Sequence, residues 1–428
     1  MKIAIIGAGF TGLSAAYELV KNGHEVVVFE KDTTPGGLAV GFKQEEWNWS
    51  LESHYHHWFT NDINVLNLAK EINFDVLIKR PKTSVYVDQA LYQLDSPVKV
   101  LTFPRLPFFD RIRMAIVLGA LRYDPFWKSL EGIKTEEFLS KTMGRKAYEK
   151  IWEPQLKNKF GEYAEDIALS WFWARIKKRT SSLVYPKGGF LQFAQTLVKE
   201  CEKRGGKFLF STEVVELKNN KNGVEVKYKI ENLKFKIENY DAVIVTLSSF
   251  FFTKIVPDLP ENYKNKLLSL KGLGAINLVL RLKKQFLKDG TYWLSICDKK
   301  SPIMAIIEHT NYMDKKYYNN EHIVYLGNYL PSTHPYMKMD GKELLKIYDP
   351  FLKKINPDYQ LSIINLHLFT TPFAQPIIPI NYSKIMPPFE TSLKSVYLAN
   401  IHQVYPWDRG TNYAVELGKK VALIISNA

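Results

Sequence analysis

Lys2 to Ile6 is a short apolar run, the pattern of a strand buried on both faces. Gly7, Gly9 and Gly12 follow it, and a helical stretch carrying the small residues Ala15 and Ala16 runs through Val20 to a stop at Gly23. Glu25 to Phe29 form a second apolar strand, with Glu30 at its carboxyl end. Glu45 to Trp49 read as another strand, and Ile63 to Ile72 as a helix with Asp62 placed to cap it. Alternation predicts strands over Ser84 to Val87 and Ala90 to Leu94. Helices are expected over Lys134 to Met143, Lys146 to Ile151 and Asp166 to Lys177.

The second half returns to strands. Leu191 to Lys203 is a helix ended by Gly205 and Gly206, then Lys207 to Phe210 and Glu213 to Leu217 are extended. Val224 to Ile230 and Lys234 to Ile237 read as a hairpin, and Ala242 to Thr246 as a buried parallel strand. Ala275 to Leu282, Ile303 to Glu308 and Ile323 to Leu326 belong to a further sheet, and Leu344 to Lys353 is helical. Pro372, Pro376 and Pro379 favour a rigid extended segment. Val396 to Ala399 is a last buried strand, followed by a loop and a helix from about Gly410, with Ala414 and Gly418 on its close-packed side.

The 428 residues exceed a comfortable single core, so two or three intertwined domains are expected. At 46% hydrophobic and 24% charged residues the chain folds rather than remaining disordered. Aromatics reach 14%, which suggests a large apolar pocket or a partly apolar surface. Lysine and arginine number 58 against 44 acidic residues, and the formal charge of +14 favours an anionic partner. No zinc-finger spacing or compact basic tail is visible, so nucleic acid is not expected. Neither Cys201 nor Cys297 lies in a CxxC pair, which suits a reducing cytoplasm. The start, MKIAIIGAGF, leads straight into the glycine motif without a signal-peptide layout, and no uncharged run is long enough to span a bilayer.

The spacing of Gly7, Gly9 and Gly12 between strand and helix is chemically specific. The first glycine makes the tight turn and the second admits a pyrophosphate close to the backbone. The helix N-terminus then faces that anion, and Glu30 accepts hydrogen bonds from a ribose. The unit predicts a dinucleotide site. An acidic Glu30 argues against a 2′-phosphate there.

Gly36 and Gly37 follow Glu30 after a short loop. With this doublet the sequence resembles the flavoprotein superfamily of amine oxidases, protoporphyrinogen oxidases, phytoene desaturases and UDP-galactopyranose mutases. The resemblance implies FAD as the cofactor. Many members continue the doublet with arginine, where this chain has Leu38 and Ala39. The resemblance further implies that Val214 approaches the adenine side and that Thr246 ends a strand near the cofactor. The ending YLANIHQVYPWDRGTNYAVELG resembles the terminal FAD-binding motif, placing Asn400, Arg409, Gly410, Thr411 and Asn412 at the cofactor. Asn400 stands where many relatives carry an acid. Asp408 and Arg409 read either as an ion pair shaping the loop or as a loop whose arginine meets an anion.

The fold implied is α/β with an α+β part. A Rossmann-like FAD-binding domain of the glutathione-reductase type (1–80, 181–250 and 391–428) interleaves with a mixed-sheet substrate domain (81–100 and 251–390). A helical insertion, 101–180, is a candidate for facing a membrane. Within it, Phe103, Phe108, Phe109, Phe126 and Trp127 stand among Arg105, Arg111, Arg113 and Arg122. That mixture suits an interfacial segment on anionic lipid, with the arginines paired to acids as the alternative.

His54, His56 and His57 make the sharpest local cluster. Extended alternation would put His54 and His56 on one face, and Tyr55 and His57 on the other. No local Cys or Asp pair completes a metal set, so no metal is expected. HHWFTND resembles a histidine segment of UDP-galactopyranose mutases, which implies that His56 approaches the flavin. Glu52, Glu308, His309 and His402 are further candidates, and Lys159 and Lys187 are the candidates for a lysine at flavin N5.

The leading expectation is an FAD-dependent oxidoreductase passing hydride between flavin N5 and an apolar or amphiphilic substrate. Carbon–carbon desaturation is favoured over amine oxidation, and oxygen or a quinone is the expected acceptor. It would be cytoplasmic, with peripheral attachment to the inner face of the cell membrane as an extension. The alternative is a mutase-like enzyme that uses reduced FAD on a nucleotide sugar without net redox change.

Overall fold

The computed structural model describes residues 1–230 and 235–427. The predicted strand over Lys234 to Ile237 begins outside them, and the described strand there is Lys236–Tyr240.

The βαβ start forms as its pattern requires. Strands β1 (Lys2–Ile6), β2 (Glu25–Phe29), β3 (Lys207–Leu209), β4 (Ala242–Val245) and β5 (Val396–Leu398) make one parallel sheet in the order β3-β2-β1-β4-β5. Ile3, Ile5, Val26, Val28 and Ile244 point to one face, where helices α1 (Phe10–Lys21), α2 (Ile63–Glu71) and others form the core. Ala4, Ile6, Val27, Phe29 and Val245 point to the other. There a three-stranded antiparallel sheet, Thr212–Asn220, Gly223–Ile230 and Lys236–Tyr240, covers them, with Tyr228 4.9 Å from the Phe29 ring. Apolar residues at consecutive positions are therefore both buried, as a doubly covered parallel sheet demands.

Gly12 allows α1 to lie against the turn: a Cβ there would come 2.0 Å from the Gly7 carbonyl oxygen. The insertion contributes helices α3 (Phe108–Tyr123) and α4 (Leu169–Lys178), and between them Arg145–Phe160 runs as one helical stretch with a π turn over Tyr148–Trp152. Helices α5 (Phe190–Glu202) and α6 (Thr411–Ser426) return to the parallel sheet. On α6, Gly418 makes the predicted close contact, packing on the backbone of Thr11 and Ala15 in α1.

A second, seven-stranded mixed sheet holds Ile363–Pro376, Gly272–Leu282, His322–Leu330, Ala305–Glu308, Thr291–Ile296, Lys82–Val87 and Ala90–Gln93, in that order. Its neighbours are antiparallel except Thr291–Ile296 with Lys82–Val87.

Glu45 to Trp49 is not a strand. Short strands lie on either side, at Gly41–Phe42 and Leu51–Glu52. Trp47 turns inward against Phe42 and Tyr318, while Gln44 and Glu46 bind Arg281. Arg281 also pairs with Glu321 at 2.7 Å in a nearly closed site. That partner, far away in sequence, shapes the loop. Asp62 precedes α2 but does not cap it. Its carboxylate accepts from Phe59 N, and Asn412 Oδ1 accepts from Asn64 N at 2.9 Å and Val65 N at 3.2 Å.

Candidate functional site

The glycine loop and the Gly36–Gly37 doublet meet. Gly36 N donates to the Ala8 carbonyl at 3.0 Å, and Gly9 and Gly36 form an isolated parallel bridge. A Cβ on Gly37 would stand 2.9 Å from Gly9 Cα. Helix α1 starts at Gly9 with no side chain capping its first-turn N–H groups. Uncapped donors beside a backbone cradle fit a pyrophosphate.

Glu30 lies at the same edge. Its carboxylate accepts from Ala8 N at 2.6 Å and Asp32 N at 2.9 Å. Burial raises its pKa against the lowering effect of those bonds. A carboxylate with two such bonds keeps lone pairs for ribose hydroxyls. Thr246 Oγ1 donates to the Ile6 carbonyl at 2.9 Å and crowds Gly7. The strand carrying Val214 begins beside Glu30, where Thr212 N donates to the Glu30 carbonyl. Leu38 and Ala39 lie in a 3-10 turn after the doublet. Asn400 is buried with its amide spent inside the protein: it donates to Leu247 O and Ser249 Oγ and accepts from His402 N.

The structure also holds a cavity of about 600 Å³. Residues 408–413 line it, whereas the three fingerprint glycines, Glu30 and the doublet do not. Two helical stripes of the insertion form one side. Trp152 ends the π turn and Gln155, Leu156 and Lys159 follow it at one-face spacing, and Trp171, Arg175, Lys178 and Arg179 come from α4 and its end. Tyr55, His56, His57, Tyr292, Trp293 and Tyr329 form much of the rest.

The histidines depart from the alternating pattern because 53–57 is a loop, with a strand only at Trp58–Phe59. His56 and His57 both line the cavity. His54 does not; its Nδ1 accepts from Asn277 Nδ2 at 2.5 Å. His56 Nδ1 lies 2.6 Å from the His54 carbonyl oxygen, so Nδ1 carries the proton. The other nitrogen of neutral His56, Nε2, is then an acceptor. Burial, with Arg409 nearby, lowers the His56 pKa to about 4, and the ring stays neutral at ordinary pH. His57 Nδ1 meets the Tyr292 hydroxyl at 3.1 Å, and burial followed by Arg179 lowers its pKa to about 3.

Asp408 does not pair with the Arg409 guanidinium. It accepts from Arg175 at 2.9 Å and from Trp171 Nε1 at 3.1 Å. Burial opposes its ionisation, but Lys159, Arg175 and Arg409 together hold its pKa below the usual range. Arg409 instead donates to Gln375 Oε1 at 2.9 Å and to the Tyr329 hydroxyl. Gly410 starts α6, Thr411 accepts from Trp58 Nε1, and Asn412 is occupied at α2.

Of the two lysine candidates, Lys159 lines the cavity, with Nζ 4.6 Å from the Tyr329 ring centre. Lys187 is an exposed partner of Asp75. The remaining acid and histidine candidates do not line the cavity and bond within the fold. Glu52 accepts from Tyr185 and Phe190 N, Glu308 from Phe286 N and Leu287 N, His309 bonds Tyr318, and His402 bonds Ser249. Arg175, Arg179 and Tyr329 were not singled out in the sequence. The spacing Trp171–Arg175–Arg179, one residue per helical turn, is the signal that marks two of them. Among the described residues no group of three or more His, Cys, Asp or Glu side chains is arranged around a metal position.

The model of the family described as flavin containing amine oxidoreductase matches residues 10–425. Zeta-carotene desaturase of Solanum lycopersicum is 29% identical over 181 residues, covering 36% of this chain and 30% of the desaturase. The 15-cis-phytoene desaturase of Synechococcus elongatus is 34% identical over 110 residues, 26% of this chain and 22% of that protein. The chain thus matches less than a third of the length of these curated relatives. A solved structure of reduced UDP-galactopyranose mutase shares the fold, with a TM-score of 0.77 at 15% identity over 100% of this chain and 96% of that one. With the glycine fingerprint, the doublet and a family match over nearly all its length, this chain belongs to the flavin containing amine oxidoreductase family.

Proposed function

We propose that the protein dehydrogenates an apolar or amphiphilic substrate, removing hydrogen across a carbon–carbon bond in preference to oxidising an amine. The observation that carries this reading is the aromatic cavity, lined by residues 408–413 and by His56, whose Nε2 is an acceptor. The local similarity to two carotenoid desaturases supports it. FAD, when bound, supplies the hydride acceptor. The glycine loop, doublet and Glu30 would hold its dinucleotide part, with Val214, Thr246 and Asn400 lining the approach. Trp171, Trp293 and Tyr329 orient the substrate and exclude water. His56 takes the proton that leaves with the hydride, and His57 with Tyr292 fixes the wall beside it. The likeness to UDP-galactopyranose mutase is one of fold, so sugar chemistry is not proposed.

In this reading the parallel sheet with its flanking segments is the cofactor domain and the seven-stranded sheet the substrate domain. The insertion shares the substrate site. A quinone is the acceptor of choice, with oxygen the alternative.

We also propose that the insertion meets an anionic membrane surface. Helix α3 leaves Phe109 75% exposed and Tyr123 80% exposed, with Phe108 and Ile116 beside them. Among the described residues Arg111, Arg113 and Arg122 on it have no acidic partner, whereas Arg105 before it lies 3.8 Å from Asp88. Arg111, Arg113 and Arg122 donate to backbone carbonyls of Leu101, Thr142 and Ile176. Arg122 also lines the cavity, which supports a route for an apolar substrate from this surface into the site. Among the described residues no helix is long and apolar enough to cross a membrane.

The test is anaerobic mixing of FAD-loaded protein with micellar phytoene, ζ-carotene and, for contrast, a primary alkylamine. Bleaching of the flavin with formation of a more conjugated polyene supports the reading. Bleaching by the amine alone overturns it.

A further inference from the structure

The cavity wall has a charge bias that an apolar substrate does not explain. Seven cationic side chains line it against three carboxylates. The carboxylates are already engaged. Asp408 holds Arg175, Asp95 accepts from Thr83 N and Gln93, and Asp62 accepts from Phe59 N.

Among the described residues only Arg175 of the seven has an ion-pair partner; Arg122 and Arg409 donate to neutral acceptors, and Arg80, Lys159, Lys178 and Arg179 have no side-chain hydrogen bond at all. Two cations crowd one ring: Lys159 Nζ is 4.6 Å and the Arg409 guanidinium carbon 4.8 Å from the centre of Tyr329. Lys178 sits 4.5 Å over Trp407. Packing like charges in a recess is unfavourable unless something offsets it. The strain is visible in Lys159 and Arg179. Burial, followed by the neighbouring arginines, pulls Lys159 well below the ordinary lysine range. Burial followed by Arg175 lowers Arg179 to about 10.

We infer that the substrate, beyond its apolar part, carries an anionic group, a phosphate or carboxylate, and that Lys159, Lys178, Arg179 and Arg80 receive it. The inference rests on the substrate-site reading of this cavity and names its substrate class as an anionic amphiphile. An anion supplies the missing counter-charge, and guanidinium forks suit both oxyanions. The aromatic side of the wall takes the hydrocarbon. An alkylammonium would meet uncompensated positive charge, so the same residues select against amines. Phosphate and carboxylate heads share this recognition, and the probes separate them.

The experiment is calorimetric titration of FAD-loaded protein with octyl phosphate, octanoate, octanol and octylamine, each below its micelle concentration. With FAD in place, the glycine loop is not available to the probe. Octyl phosphate or octanoate should bind, the tighter of the two naming the head, with affinity falling as salt rises. Octanol should bind at least about tenfold more weakly, and octylamine not at all. Arg179→Gln and Lys178→Gln should each weaken the anionic probe about tenfold with FAD content unchanged, and Arg179→Lys should restore part of the loss. Equal affinity for octanol and octyl phosphate overturns the inference, as does binding of octylamine. Binding of uridine diphosphate without binding of either anionic octyl probe also overturns it. Loss of FAD from the unaltered protein would instead strike the underlying site reading, because the titration is then made on an empty enzyme.

Discussion

The Nδ1 of His56 donates to the main-chain carbonyl of His54 across 2.6 Å, fixing which nitrogen of His56 is free to accept a proton. His54 is itself held by Asn277, so the tautomer is built into the loop rather than left to solvent. His56→Ala should therefore slow flavin reduction by substrate on the order of a hundredfold while FAD stays bound. Stopped-flow reduction of matched, FAD-loaded proteins checks this. A rate unchanged in the variant removes His56 from the chemistry and leaves the cofactor site intact.

At the dinucleotide loop, the added side chain of Gly9→Val would press on Gly37, whose Cα lies 3.6 Å from the position of a Cβ on Gly9. The γ-methyl groups fill the cradle between loop and doublet. Gly9→Val should fold, retain its far-ultraviolet dichroism and lose most of its FAD. Full FAD occupancy in purified Gly9→Val would show that the cofactor does not use this cradle.

Glu52 gives a pH test. It is fully buried, and burial raises its pKa to about 7 despite hydrogen bonds from Phe190 N and Tyr185. A carboxyl raised in the folded state binds its proton more tightly there than in the unfolded chain. Between its ordinary pKa and about 7 the folded state holds more protons, so this group's contribution falls as pH rises through that window. Glu52→Gln should gain stability relative to the parent by roughly 3 kcal/mol on going from pH 5 to pH 8. The difference in melting temperature between the two proteins, followed across that range, measures it. The buried histidines slope the other way: lowered to about 3 or 4, they disfavour folding as pH falls below their ordinary value, in both proteins alike.

On the insertion, Phe108→Ser with Phe109→Ser removes exposed apolar surface without touching the cavity. The parent should float with anionic liposomes at low salt and detach at high salt, and the double variant should stay in the soluble fraction with its FAD. No flotation of the parent rules out the membrane surface.

The cofactor half was legible because its signals are local. Gly7, Gly9, Gly12 and Glu30 occupy one continuous βαβ unit, and backbone geometry dictates each. The cavity was not, because Tyr55, Lys159, Arg175, Tyr329 and Arg409 come from five separate segments that only the tertiary fold joins. The Asp408–Arg409 dipeptide suggested a local pair, but Arg175 lies 2.9 Å from the carboxylate and takes that role. The histidine run suggested alternation. It fails because residues 53–57 have no strand partner. Trp47 and Arg281 likewise fold Glu45 to Trp49 into a turn through contacts that neighbouring residues do not reveal.

The central claim is that the cavity at Tyr55, His56 and residues 408–413 adjoins the bound flavin and is where substrate sits. The most direct measurement is the visible spectrum of the FAD-loaded protein during titration with octyl phosphate, run beside the calorimetry. The account predicts a saturable shift of the flavin band with the same midpoint as the heat, altered in shape by His56→Ala. Saturable heat with an unchanged flavin spectrum would place the ligand away from the cofactor and contradict the account.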